Sequence, residues 1–284
     1  MESLGRGLAV LSAFAADRRE LSLRDVAEAA DVSTPSALRI GYTLVELGYL
    51  VRDPLTKRYR PGPKLLAVGM ASLSSMSLLE LAEPYLVELR DRTEETVKLA
   101  ILDDTEMVYV ARIPSLTYPA LGSGLVGTRL PACQTCTGRA ILSKLPDREV
   151  RTVVQRSTRQ KFTEKTITSI DEILTEIKRT RLRGYAVNDQ GTTIEHRSAA
   201  VAICDASGQP VGAVNVSVSA QRVSLGELTR RLVPHVVTTA ERISALLPPQ
   251  FEGMPPRPAL TETPRHGRNG NGRPVRVAGG ARAR

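Results

Sequence analysis

The sequence predicts an α+β protein of two domains: an N-terminal winged helix-turn-helix, then an antiparallel sheet with flanking helices. Three observations predict it. Residues 22–61 read helix, turn, helix and basic hairpin, in that order. Beyond residue 96 the apolar period drops to two, in paired stretches around short polar turns. Helices and strands there are grouped rather than strictly alternating, which points to an α+β domain.

Composition bounds the rest. The 284 residues, 42% hydrophobic, suffice for a packed core and one to three domains. The +9 charge favours a polyanionic partner. It is unevenly spread, since residues 248–284 carry seven arginines against two glutamates, which leaves +5 there. No run of eighteen apolar residues exists and Met1 opens no signal-peptide pattern, so a cytoplasmic protein without a membrane partner is expected. Three cysteines do not make a disulfide framework. Trp is absent and aromatics are 4%, against a base-stacking platform for single strands.

The chain begins with an apolar helix over Leu4–Ala16, with Leu8, Leu11 and Phe14 among its buried positions. Ser22 and Asp25 have capping-box spacing, and Leu23, Val26, Ala27 and Ala30 give the next helix one apolar face. Ser33 can cap a second helix with Pro35 in its first turn. Ala37, Ile40, Leu44 and Leu47 fall on its inner side. Its outer side carries Thr34, Ser36, Arg39, Tyr42 and Thr43, short, polar and basic as a helix in a major groove must be. Gly48 ends it. Tyr49–Arg52 and Arg58–Arg60 then flank a turn at Asp53-Pro54. Arg52, Lys57, Arg58 and Arg60 face one acid, Asp53, so the hairpin is a wing suited to phosphate. The alternative is a small helical subdomain with a solvated hairpin that contacts protein.

Residues 1–62 are thus the expected DNA-binding domain and 63–75 a linker helix. Residues 76–247 form a second domain, and 248–284 a tail, disordered because thirteen of its 37 residues are Gly or Pro. In the second domain a helix runs from Ser77 to about Thr93, with Pro84 inside it. Strands are expected at 97–102, 107–113, 185–188, 198–204 and 211–218, and helices at 135–145, 147–156, 170–183 and 225–246. Gly184 stops the third of these.

Four motifs bear on chemistry. Cys133-x-x-Cys136 has the spacing of half a zinc site, but no second ligand pair follows, so no metal is expected. Gly122-Ser123-Gly124-Leu125-Val126-Gly127 matches a dinucleotide fingerprint without the surrounding βαβ unit, and is read as a loop over a pocket, with no cofactor. Cys136 at a helix start can have a lowered pKa and act as a nucleophile, yet no base is identifiable. The same helix start leaves the Cys136 and Thr137 amides as a candidate carboxylate site.

Leu4-Gly5-Arg6-Gly7-Leu8-Ala9-Val10-Leu11, the helix-turn-helix ending Leu47-Gly48-Tyr49-Leu50, and Gly127-Thr128-Arg129-Leu130-Pro131-Ala132 resemble IclR-type bacterial transcriptional regulators. Asp189-Gln190, Arg197-Ser198-Ala199 and Val214-Asn215-Val216-Ser217 extend the likeness over residues 3–247. The Gly-Thr-Arg-Leu-Pro-Ala form is similar to the subgroup controlling aromatic-acid catabolism. The resemblance implies a GAF-like effector domain and dimers or tetramers. It also implies an effector pocket lined by Leu130, Cys136, Thr137, Asp189, Ser198, Asn215 and Ser217. Asp189 alone equally suits a turn cap, and either serine a satisfied strand hydroxyl. Thr34 and Leu38 stand where the family often has basic residues. Gly41 replaces a usual core Leu, which should weaken the recognition helix by roughly 1 kcal/mol plus lost packing.

The expected function is a regulator that binds operator double-stranded DNA and a small aromatic or other carboxylic acid. The rivals are a DNA-binding architectural protein whose second domain only oligomerises, and an enzyme using the Gly-rich loop or Cys136.

Overall fold

The computed structural model describes residues 2–15, 20–74, 77–118 and 124–251. Ser22 and Asp25 form the capping box, Ser22 N–H to Asp25 Oδ2 at 2.7 Å and Asp25 N–H to Ser22 Oγ at 3.2 Å. They start α2 (Leu23–Ala30), and Asp31, at φ 49, closes it. Helix α3 (Thr34–Glu46) follows with Pro35 in its first turn. Ser33 holds the N-cap position, but its hydroxyl donates to Ser36 Oγ (3.3 Å) rather than accepting an amide.

Helix α1 (Glu2–Ser12) packs on these two and continues in a 3₁₀ turn over Ala13–Ala15; Ala16 lies outside the described residues. Its buried residue is Val10, whereas Leu8, expected inside, is 54% exposed. The two are separated by 200° on a helix, so one faces in and the other out. Leu47, also expected inside, is 49% exposed because the helix ends there.

Strands β1 (Leu50–Arg52) and β2 (Tyr59–Pro61) make the wing, with Val51 opposite Arg60. The packing expected to be lost at Gly41 is supplied from elsewhere. The Tyr59 ring, 1% exposed, occupies that space, and a Cβ on Gly41 would sit 2.8 Å from it. Small residue and large ring are complementary, so no packing is missing. Helix α4 (Pro63–Ser74) matches the expected linker and leaves Leu66, Val68 and Met70 exposed.

Helix α5 (Ser77–Thr93) runs through Pro84 without a break and leads into a six-stranded antiparallel sheet. Its strands are β3 (Thr96–Asp103), β4 (Glu106–Ile113), β5 (Arg129–Pro131), β6 (Ala186–Asp189), β7 (His196–Cys204) and β8 (Pro210–Ser219). Their order is β5-β4-β3-β8-β7-β6. Three-residue β5 was not expected, being too short to show a period. Helices α6 (Cys136–Leu142), α7 (Asp147–Arg156) and α8 (Ile170–Arg183) serve one face. The other face packs α5, a π turn (Leu228–Leu232) that follows the short α9 (Leu225–Glu227), and α10 (Val233–Ser244). The sequence suggested one helix there. Pro234 cannot donate back to Arg230, and the wider turn accommodates it.

The residue alternation of β3 shows the two faces. Val97, Leu99 and Ile101 enter the core under α5 and α10, while Ala100 faces the α6 side. Across β8 and β7 the α6 side carries Ala213, Ala200 and Ala202, so α6 lies close to the sheet. Gly138 lets the preceding turn over Ala132–Gln134 fold tightly against α6, since a Cβ there would collide with the Ala132 carbonyl.

Order extends past the expected boundary at Pro248. The Phe251 N–H donates to Asp205 Oδ2 (3.2 Å) and its ring packs on the α5/α10 core. The rest of the expected tail, 252–284, lies outside the described residues. Among the described residues no single helix is long and apolar enough to cross a membrane.

Candidate functional sites

The outer face of α3 displays Thr34, Arg39, Tyr42 and Thr43 exposed and Ser36 half-buried, next to exposed Ser33. Arg39 Nη2 donates to Ser36 Oγ at 3.2 Å, so the guanidinium lies along the helix and is held over its own surface. Thr43 Oγ1 donates to the Arg39 carbonyl (2.9 Å). Exposed Leu38 adds an apolar contact on this face.

The wing cations are not equivalent. Arg60 is bound by Asp53 (3.2 Å) and Glu20 (3.7 Å). Arg52 donates to the Lys57 carbonyl (3.3 Å) and stacks on Tyr59 at 5.6 Å. Lys57 donates to the Pro54 carbonyl (2.6 Å). Arg58 is exposed, and its side chain has no partner among the described residues. The Thr56 and Leu55 amides on Asp53 hold that carboxyl below the usual range and keep the turn closed. Equal counts of charge therefore hide unequal availability, with Arg58 foremost.

In the second domain the sheet face under α6 divides in two. One half is alanine. The other carries Thr96 and Lys98 on β3, Asn215 and Ser217 on β8, and His196 and Ser198 on β7, residues that share the parity of those alanines. Against this polar half stands Cys136. Its Sγ shares a hydrogen bond with Ser198 Oγ at 3.0 Å and lies 3.9 Å from Asn215 Nδ2. Asn215 Nδ2 also donates to Ser217 Oγ (3.2 Å), while its Oδ1 is buried and unpaired. Four of the seven expected pocket residues are thus in contact, and Thr137 follows Cys136 on α6, its hydroxyl donating to Thr135 Oγ1 (3.4 Å).

Two are placed apart. Asp189 pairs in register with Arg197, on the opposite sheet face from Ser198, and its carboxylate accepts from Arg197 Nε at 2.7 Å. Burial pushes that carboxyl up, and the bonds from Arg197 and Gln190 outweigh it. It neither caps the turn nor joins the cluster. Leu130 sits on edge strand β5 opposite Met107, by the Tyr109 end of the face.

At the start of the seven-residue α6, Thr135 Oγ1 takes the Gly138 N–H (3.0 Å), which is not one of the two amides, Cys136 and Thr137, expected to receive a carboxylate. Burial raises the Cys136 thiol, so it is a neutral group and not the activated nucleophile a helix start can produce. Cys133 points into a different apolar cluster from Cys136. Gly122 and Ser123 of the Gly-rich stretch lie outside the described residues. Gly124, at φ 100, rests against the Tyr109 ring, where a Cβ would come within 2.6 Å.

Residues 3–54 match the IclR helix-turn-helix domain, and residues 70–245 match the bacterial transcriptional regulator IclR C-terminal domain. The chain belongs to the IclR family. It is a DNA-binding transcriptional regulator. It is 35% identical over 234 residues to the Pca regulon regulatory protein of Pseudomonas putida, covering 82% of this chain and 80% of that one. It is 32% identical to the p-hydroxybenzoate hydroxylase transcriptional activator of Acinetobacter baylyi, covering 86% and 91%. A Rhodococcus sp. RHA1 structure is 40% identical, with TM-score 0.72 over 87% of this chain and 98% of that one. An IclR homolog from Microbacterium hydrocarbonoxydans, solved with 4-hydroxybenzoate, has the same fold at 21% identity, TM-score 0.69, covering 86% and 98%.

Sequence reasoning missed two residues of the regulator's polar cluster, Lys98 and Tyr109. Lys98 is 2% exposed, with Nζ 4.9 Å from the Tyr109 ring centroid. The signal was available. Val97 to Leu102 is a nearly continuous apolar run, as in a strand covered on both faces, so a lysine inside it has to be buried. Burial brings its ammonium down to about 8. Arg139, also buried, donates to the Val187 carbonyl (2.7 Å) and leaves Nε unpaired.

Proposed function

We propose that the regulator controls a catabolic operon in response to a small aromatic carboxylic acid. The observation that carries this reading is the buried contact set Cys136, Ser198, Asn215 and Ser217, with Asn215 Oδ1 left unsatisfied. A packed core has no use for hydroxyls and an unpaired amide, whereas a polar ligand completes them. The relatives agree in chemistry: one activates a p-hydroxybenzoate hydroxylase gene and another is complexed with 4-hydroxybenzoate.

In this reading residues 1–62 bind the operator, 63–75 link, and 76–247 bind the effector, in the cytoplasm. Base contacts come from Arg39, Tyr42 and the hydroxyls of Thr34, Ser36 and Thr43, and phosphate contacts from the wing, Arg58 above all. Paired half-sites require a symmetric dimer. Leu4 and Leu8 of α1 and Leu66 and Val68 of α4, exposed apolar residues, supply its seam.

The test is a thermal-shift panel on the full chain with benzoate, 4-hydroxybenzoate and 3,4-dihydroxybenzoate. An acid that binds only the folded state raises the melting temperature. The same acid then alters a gel shift on DNA upstream of the neighbouring catabolic genes. A panel with no shift, or a shift with no effect on DNA binding, rejects the reading.

A further inference from the structure

The amine of Lys98 is buried among residues of several elements. On β8, Asn215 is its register partner. On β4, the Tyr109 ring lies 4.9 Å from Nζ. Burial lowers its pKa, as does the charge of Arg112 on β4, and its own charge lowers the pKa of His196 on β7; Cys136 of α6 lies on the same sheet face. Gly124 also comes near, and a Cβ there would stand 3.5 Å from Nζ. Arg139 brings a second buried cation to bear on the same Cys136 thiol. Among the groups around the ammonium are a neutral thiol, a phenol ring held protonated by burial, and an amide with one atom unpaired. A buried cation in such company is electrostatically complementary to an incoming anion.

We propose that Lys98 is the charge-selecting residue of the effector site, its ammonium receiving the carboxylate of the acid while Ser198, Asn215 and Ser217 orient it. This deepens the effector reading above and rests on it. The hydroxyls and the amide are neutral, so they distinguish a carboxylate from a carboxamide only weakly. The ammonium distinguishes them strongly. Burial leaves it mostly charged at neutral pH, with a pKa near 8.

The experiment is calorimetric titration of the full chain, wild type and Lys98→Met, with benzoate, 4-hydroxybenzoate, 3,4-dihydroxybenzoate and the neutral isostere 4-hydroxybenzamide. Lys98→Gln serves as a second variant that keeps a polar group. Wild type is expected to prefer the acid over the amide. Both variants are expected to lose about 10- to 100-fold in acid affinity, the range for a charged hydrogen bond, with amide affinity within about threefold of wild type. Variants that bind the acid like wild type overturn the inference and leave the effector reading standing. Variants that lose acid and amide equally also overturn it, because Lys98 then only shapes the fold. Wild type that binds none of the three acids removes the effector reading and the inference together.

Discussion

Residues 33–60 supply the whole proposed DNA-facing surface from one helix and one hairpin. The effector cluster takes its residues from β3, β4, β7, β8 and the start of α6, which span positions 96–217. The first surface is exposed, and its charges keep their hydration. The second is buried, and its one ammonium is held where charge is disfavoured. The contrast teaches that the same residue type, a lysine or an arginine, is energetically cheap in one place and expensive in the other. A buried titratable group beside a polar cluster marks the candidate site.

That contrast can be broken first at Lys98. Its pKa falls from 10.5 to about 8 on folding, so the unfolded chain holds the proton more tightly. Below pH 8 the charged side chain therefore subtracts from stability by about 3 kcal/mol, and that cost disappears as pH rises from 8 to 10.5. Lys98→Met is expected to stabilise the protein by up to about 3 kcal/mol at pH 7 and by progressively less above pH 8. Urea denaturation of both proteins across pH 7–10 checks this. Arg58→Ala, run alongside, is expected to change stability by less than about 0.5 kcal/mol.

The next effect sits in the DNA-binding domain's interior. Gly41→Leu, which restores the residue type the family resemblance led us to expect, drives a side chain into the Tyr59 ring. It is expected to destabilise by about 1–3 kcal/mol. The double variant with Tyr59→Ala recovers part of that, and a double-mutant cycle reads the coupling. Additive losses would mean that the ring and the glycine are not one packing unit.

Arg39→Ala is expected to cost about 1–3 kcal/mol of operator affinity and to relax base preference. Arg58→Ala weakens operator and random DNA alike and flattens the salt dependence. Arg60→Ala has the smallest effect of the three, since Asp53 and Glu20 already share its charge. Gel-shift titrations at several salt concentrations rank them. Equal losses for Arg58 and Arg60 would show that the intramolecular pairs do not persist in the complex.

The smallest effect concerns the chain's end. Removing residues 252–284 is expected to leave the melting temperature unchanged. Removing 249–284 lowers it, because the Phe251 ring packs on the α5/α10 core and its amide bonds Asp205. Two truncations in one calorimetric run separate the cases.

Sequence by itself determined what is local. The capping box at Ser22 and Asp25, the Gly184 stop at φ 83, the α3 face and the wing hairpin all depend on neighbours within a few residues. Period and cap are enough to read them. Sequence also carried the order of the strands' appearance, because alternation survives in β4, β7 and β8. Tertiary structure decided what depends on distant partners. It seated the Tyr59 ring on Gly41, turned Asp189 to Arg197 and away from Ser198, and chose Arg58 over Arg60 as the open wing cation. It also brought Tyr109 to Lys98, whose burial the apolar run of β3 already implied. The physical reason is that strand register and helix docking, set by burial over the whole sheet, bring together residues up to 120 positions apart. No local pattern records which face of the sheet each of them takes.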